Sequence, residues 1–378
     1  MQVTVFGAGY AGIAVARRLE STLPDDVSLT VVDETDHHLV QHELHRVIRR
    51  PDVADRITVP LSEIVDRAIH RRARLTALDP DEGTADLADG HLDFDYGAVC
   101  LGAVTDFYDL PGLEAHALPL KRLEHAHRIR RAFRSLLETG GRVVVGGAGL
   151  SGVQVAGELH ALATAEGARE SVEIVLLEQL DAVAPSFPGP LQTAVREELE
   201  ARDVTIRTGT TVRGADERAI DLAAGSLPYD VFVWTGGIRG SDALAGERPT
   251  VRATLRLGRR TVVAGDAARV IDRNGEPVAP SAQTAIGQAR VAATNLARLV
   301  EADREPTAVF DPRLDTYVAD PAGWIVSIGD GAVAQVGPTV LRGRAALALK
   351  TTVGVGHLSS VGAVRSAAAY AVEEFSGG

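Results

Sequence analysis

The 378-residue chain has a single cysteine, Cys100, which excludes an intramolecular disulfide and any relay between two thiols. Cys100 lies in the apolar run YGAVCLGA, read as a buried strand, so it is expected to be a structural thiol packed as a small hydrophobe. No run of about 18 apolar residues occurs, and no membrane-spanning helix is expected. Lysine is almost missing. Of 39 basic residues only Lys121 and Lys350 are lysine, and 51 acidic residues leave a formal net charge of -12. That balance excludes general nucleic-acid binding, which needs a basic footprint. Arginine in place of lysine fits a salt-rich cytoplasm and also fits a GC-rich genome. Strand-like residues follow Met1 at once, leaving no room for a leader. The expectation is a cytoplasmic protein, at most peripheral on the inner face of the cell membrane.

What is present is one glycine pattern, twice. VTVFGAGYAGIAVARRL carries Gly7, Gly9 and Gly12, and RVVVGGAGLSGVQVAGEL carries Gly147, Gly149 and Gly152. Each copy runs from a β-branched strand through G-x-G-x-x-G into an alanine-rich helix. The first glycine permits the tight turn, the second lets backbone approach a pyrophosphate, and the third lets helix and strand pack closely. A second strand follows each copy and ends in a carboxylate, Asp33 or Glu178, 21 and 26 residues beyond the third glycine. That is near the ~20-residue spacing expected for an acid that bonds an adenosine ribose; the competing reading is that each acid caps a loop. Two dinucleotide sites mean two dinucleotides, and the economical pair is a bound flavin and a diffusing nicotinamide.

Between the fingerprints, ETDHHLVQHELHRVIRR gathers His37, His38, His42 and His45, but no cysteine or ordered carboxylate set accompanies them, and no metal is expected. A helix is predicted over 61–70, then a strand over 74–78, a strand pair around ADLADGHLDFD, and the apolar run ending at Gly102. A proline turn and a helix lead into the second fingerprint. The second half repeats this plan: helix, strand, a weak hairpin, and the apolar strand of YDVFVWTGGIRG with Gly236 and Gly237. TVVAGDAARV reads as a buried strand ending at Gly265 and Asp266, and PSAQTAIGQARVAATNLARLV as a long helix. Asp266 reads equally as a cofactor contact or a helix cap. Two short strands and a helix-like stretch with Arg342, Arg344 and Lys350 close the chain, suited to an anionic membrane surface or to a dimer interface.

Taken in order, these stretches resemble the flavoprotein family with two dinucleotide-binding domains that includes the pyridine nucleotide-disulfide reductases, and within it the type II NADH dehydrogenases (NADH:quinone oxidoreductases). The resemblance implies an α/β fold with two Rossmann-like domains, β-meander crossovers and a small C-terminal α+β segment. It divides the chain into an FAD-binding domain (1–106 and 239–305), an NADH-binding domain (107–238) and a C-terminal interface or membrane-facing segment (306–378). Gly7, Gly9, Tyr10, Ala11, Gly12, Asp33, Gly102, Gly265 and Asp266 match FAD-binding positions. Gly147, Gly149, Leu150, Ser151, Gly152, Glu178, Gly236 and Gly237 match NADH-binding positions. Ala282 and Gln283 match a quinone-facing motif, and Gln154, Gln283 and Lys350 are the implied catalytic candidates.

Two positions depart from the family. Gly287 stands where a second glutamine is usual, with Gln288 one step later, and Gln154 stands where many relatives have glutamate. Both put the quinone half-reaction in doubt and leave cofactor binding intact. The expected reaction passes a hydride from NADH to flavin and two electrons to a quinone, in a protein that is also expected to form a homodimer. The alternatives are an NAD(P)H-dependent reductase of a small electron-carrier protein of ferredoxin or rubredoxin type, and a non-enzymatic flavin-binding protein. Sulfide:quinone chemistry is disfavoured by the lone cysteine.

Overall fold

The computed structural model describes residues 1–305 and 312–360. Two parallel sheets dominate it, because the apolar runs are nearly continuous and parallel strands are buried on both faces. In the first sheet the strands stand in the order Thr261–Val263, Tyr96–Val99, Gln2–Phe6, Ser28–Asp33, Ile69–Arg72. In the second the order is Leu118–Pro119, Val231–Trp234, Gly141–Gly146, Val172–Leu177, Thr205–Arg207. Both sheets put the fingerprint strand in the middle, the acid-terminated strand on one side and the returning apolar strand on the other. The internal repeat read from the glycines therefore extends to the whole sheet plan. Each half also carries a three-stranded antiparallel meander, Leu75–Asp79 with Thr84–Leu87 and Gly90–Asp93, and Val212–Ala215 with Ala219–Leu222 and Gly225–Pro228.

The helix predicted over 61–70 is not formed. Leu61–Glu63 is one 3-10 turn that buries Leu61, and Ile69–Arg72 is the edge strand of the first sheet, paired with Thr30–Asp33. Backbone pairing at a sheet edge is satisfied whatever the side chains, so a polar IHRR becomes a strand where its own pattern gives no period-2 signal.

The chain crosses between the halves at a short antiparallel ribbon, Val104–Thr105 against Ile238–Arg239. The helix Ala282–Arg304 returns over the first sheet and lies along the first fingerprint helix, Tyr10–Thr22, through buried alanines 285, 289, 292 and 293. Small residues let the two backbones come close.

The C-terminal part holds three strands rather than two, Trp324–Ile328, Gly331–Val336 and Thr339–Arg342, followed by the helix Gly343–Ser360. This sheet sits on the second fingerprint helix, Leu150–Ala165, where a Cβ on Gly157 would lie 2.5 Å from the amide nitrogen of Gly329. Lys350, read as part of a basic surface, is instead buried, on the inward stripe with Ala346 and Gly354. Arg342 pairs with Glu197 at 2.6 Å, and Arg344 is exposed. Residues 306–311 and 361–378 of the expected C-terminal segment lie outside the described residues. Among the described residues, no helix is long and apolar enough to cross a membrane.

Candidate functional site

Each fingerprint builds the same turn. Gly7 has φ +101° and Gly147 φ +93°, a region glycine enters without penalty. A Cβ on Gly12 would lie 1.8 Å from the Gly7 carbonyl oxygen, and one on Gly152 would lie 1.8 Å from that of Gly147. Those positions are closed by protein. Gly9 and Gly149 are the opposite: a Cβ there meets nothing within 4 Å, so the space in front of each helix start is open. The helices Tyr10–Thr22 and Leu150–Ala165 have no side-chain cap and no acid in their first turns, whereas Ala282–Arg304 is capped by the Ser281 hydroxyl, which accepts from Thr284 N at 3.0 Å. Two long helices thus present unsatisfied amides and an uncompensated dipole to an open space that a pyrophosphate fits. Tyr10, Ala11, Leu150 and Ser151 form those first turns.

The paired acids are placed identically. Asp33 accepts from Ala8 N at 2.6 Å through one oxygen and from Thr35 N and Oγ1, both at 2.8 Å, through the other. Glu178 accepts from Ala148 N at 2.9 Å and from Leu180 N at 3.0 Å. Each carboxylate therefore holds its fingerprint turn and its own loop, as the loop-capping reading foresaw, while standing at the strand end where a ribose would lie.

Three further strand ends complete the layout. Cys100 backs the first turn, its carbonyl oxygen 2.4 Å from where a Cβ on Gly7 would stand. Burial pushes its thiol up to about 12, so it is neither a thiolate nor a nucleophile at neutral pH. Gly102 follows with φ +66°. In the second half Thr235 Oγ1 donates to the Gly146 and Gly147 carbonyls, and the Tyr108 ring lies over Gly237 with its hydroxyl donating to Gly236 O at 3.3 Å. Gly265 donates its N–H to the buried Gln288 Oε1 at 2.8 Å, and Arg248 holds the Asp266 carbonyl at 2.7 Å. Burial lowers the Lys121 ammonium below its usual range, against the pull of Asp266.

One departure from the family pattern, Gly287, lies tight against a neighbouring side chain. A Cβ on Gly287 would meet the Tyr317 ring at 3.2 Å, so a side chain there would need this largely buried tyrosine to give way by a few tenths of an ångström. Gln288 instead points inward and joins the helix to Gly265. Ala282 and Gln283 form the first turn of that helix, with Gln283 exposed. Gln154 is half-buried, one turn before the buried Glu158, which accepts from Arg49 Nε at 2.7 Å.

Lys350 is drawn into a cluster that sequence reasoning missed. Its Nζ lies 3.1 Å from Glu43 Oε2, which also accepts from Arg46 at 2.8 Å. His42 Nε2 lies 3.5 Å from the other Glu43 oxygen, and His42 Nδ1 is hydrogen-bonded to the Tyr10 hydroxyl. His38 Nδ1 donates to the Ala8 carbonyl at 3.0 Å. The available signal was the His-rich segment itself, read only for a metal; His38 serves the first fingerprint turn, His42 and His45 lie in the Glu43 cluster, and His37 pairs with Asp36.

Residues 1–289 match the family described as pyridine nucleotide-disulphide oxidoreductase. A type II NADH:quinone oxidoreductase of Staphylococcus aureus is 25% identical over 262 residues, 64% of this chain and 65% of that protein, so the chain matches just under two thirds of this relative's length. The structure of NDH2 from Plasmodium falciparum in complex with NADH superimposes with a TM-score of 0.83 at 14% identity, covering 98% of this chain and 97% of that one. The sulfide:quinone oxidoreductase of Aquifex aeolicus gives 0.79 at 18% identity, covering 97% and 92%.

Proposed function

Because the chain belongs to the pyridine nucleotide-disulphide oxidoreductase family, we propose that it is an FAD-dependent NADH:quinone oxidoreductase. The carrying observation is the duplicate of an open, uncapped helix start with an acid-held glycine turn, in a chain whose lone cysteine is buried. The net reaction is NADH + H⁺ + quinone giving NAD⁺ + hydroquinone. FAD, when bound, supplies the two-electron chemistry that links NADH to the acceptor. Gly7, Gly9, Gly12 and Asp33 hold its pyrophosphate and ribose, with Gly265 and Asp266 at its ribityl side. Gly147, Gly149, Gly152 and Glu178 hold NADH, with Gly236 and Gly237 beneath the nicotinamide. Glu178 accepts from a free ribose 2′-hydroxyl and repels a 2′-phosphate, favouring NADH over NADPH. Ala282 and Gln283 face the acceptor, and a homodimer peripheral to the inner membrane face completes the reading.

The test uses the purified protein, reconstituted with FAD. The expected outcome is a yellow protein that bleaches with NADH under anaerobic conditions and regains its absorbance with a short-chain ubiquinone. Failure to take up FAD rules the reading out. Bleaching without quinone reoxidation, but with reoxidation by a ferredoxin or rubredoxin, favours a carrier-protein reductase. Co-sedimentation with anionic liposomes tests the peripheral position.

A further inference from the structure

The turn FYDLPG leaves the ribbon where the two halves of the chain meet, and its backbone is strained. Tyr108 has φ +54° and Asp109 φ +51°, and among the described residues they are the one consecutive pair of non-glycine residues with positive φ. That conformation is unfavourable for a residue with a Cβ and persists only where the surroundings fix it. Here four hydrogen bonds fix it. Asp106 N donates to Gly237 O at 3.1 Å, Trp234 Nε1 donates to Asp106 O at 2.7 Å, Tyr108 N donates to Asp106 Oδ1 at 2.7 Å, and the Tyr108 hydroxyl donates to Gly236 O at 3.3 Å. Phe107 and Leu110, to either side, pack against the core.

The Tyr108 ring is held without being buried. At 54% exposure it is the one exposed aromatic side chain among the described residues. It rests on Gly237, where a Cβ would come within 2.6 Å of two ring carbons, so only glycine lets the ring lie there. Covering Gly237 does not by itself account for the strain, because a side chain at 237 would fill that space directly.

The sheet fixes what this ring faces. A dinucleotide lies across the C-terminal ends of parallel strands. In the second sheet the fingerprint strand Gly141–Gly146 has the acid strand Val172–Leu177 on one side and Val231–Trp234 on the other. Glu178 marks the adenosine ribose and the fingerprint turn marks the pyrophosphate, so the other half of the nucleotide crosses the end of Val231–Trp234. That end abuts the turn, since a Cβ on Gly147 would lie 2.6 Å from Gly236 Cα.

We propose that Tyr108 is the platform for the nicotinamide ring of NADH, a positioning residue that holds the ring for hydride transfer and favours the charge which that transfer creates. The inference rests on the proposed function, which puts NADH in this half. As the nicotinamide C4–H bond breaks, the hydride carries both electrons to the flavin, and the ring, neutral in NADH, becomes a pyridinium with one positive charge. The face of a tyrosine ring is electron-rich and attracts a cation. The interaction therefore strengthens along the reaction, which is the kind that raises a rate. Burial and the Asp106 carboxylate raise the Tyr108 pKa, so its hydroxyl stays protonated and keeps its bond to Gly236.

The experiment uses the FAD-loaded full chain and two variants. Tyr108→Leu keeps an apolar side chain without a π-face, and Tyr108→Phe keeps the ring. Isothermal titration calorimetry compares NAD⁺ with ADP-ribose, the same ligand lacking nicotinamide. Tyr108→Leu is expected to bind ADP-ribose as the parent does and NAD⁺ roughly fivefold more weakly, whereas Tyr108→Phe stays within about twofold of the parent for both. Anaerobic stopped-flow absorbance at saturating NADH is expected to show bleaching slowed roughly tenfold in Tyr108→Leu and recovered in Tyr108→Phe.

A purely structural tyrosine would not change the ratio of the two affinities. If Tyr108→Leu loses NAD⁺ and ADP-ribose equally, Tyr108 only props the strand end and the platform is overturned. If it loses neither, the nicotinamide lies elsewhere and the platform is again overturned. If the parent itself binds neither ligand, the NADH site of the proposed function fails and the platform falls with it.

Discussion

At the residue scale, each fingerprint can be broken alone, because the third glycine of each lies against its own first glycine. Gly152→Ala forces a methyl group into the Gly147 carbonyl, and Gly12→Ala does the same at Gly7. Overpacking of this kind costs about 1–3 kcal/mol. Gly152→Ala is expected to keep its flavin colour and lose bleaching at low NADH, whereas Gly12→Ala purifies with little flavin; visible spectra and NADH titrations separate the two. His38 carries a pH effect. Its ring is fully buried, and burial, only partly opposed by the bond to Ala8, lowers its pKa from 6.5 to about 4. The unfolded chain then binds more protons than the native one between those values. Stability is therefore fully present above pH 6.5 and falls as pH drops toward 4, by up to about 3 kcal/mol. Urea denaturation at pH 7.5 and pH 4.5 measures the loss. In His38→Asn, whose amide reaches the same carbonyl, that difference is expected to shrink.

At the scale of elements, Gln288 fixes the helix Ala282–Arg304 to Gly265, and Gln283 stands exposed in its first turn, where the proposed function has it face the acceptor. Gln283→Ala is expected to lower quinone turnover about tenfold, the range of a lost positioning contact, while anaerobic bleaching is unchanged. Ser281→Ala removes the cap and costs about 1 kcal/mol. It should lower the melting temperature without the same effect on turnover. If the two variants behave alike, Gln283 acts only by holding the helix start.

For the whole molecule, the C-terminal sheet depends on a close approach that only glycine allows. A side chain at Gly157 would strike the backbone at Ile328 and Gly329, so Gly157→Val is expected to loosen the sheet formed by Trp324–Arg342. The Arg49 contacts to Glu158 and Asp330 bridge the same junction and would be strained with it. Limited proteolysis should then cut between 312 and 343 faster than in the parent, with the flavin retained. Equal resistance would mean that the sheet is held mainly by other contacts, such as the edge-to-face pair of Phe187 and Trp324.

The sequence by itself determined what depends on neighbours along the chain. Both glycine turns, their carboxylates, the meanders and the long helix were legible because turn sterics, period-2 alternation and apolar runs act within a few residues. Helix over 61–70 was misread because the strand Ile69–Arg72 exists only through its pairing with Ser28–Asp33. That Gly287 lies against Tyr317, thirty residues on, is likewise a matter of tertiary packing. Only the tertiary structure decided that Lys350 is an interior residue. Nothing local distinguishes a surface lysine from one aimed at a carboxylate more than 300 positions away, whereas a Glu43 carboxylate, once buried, has to be paired, and Lys350 and Arg46 are the cations that the fold brings to it.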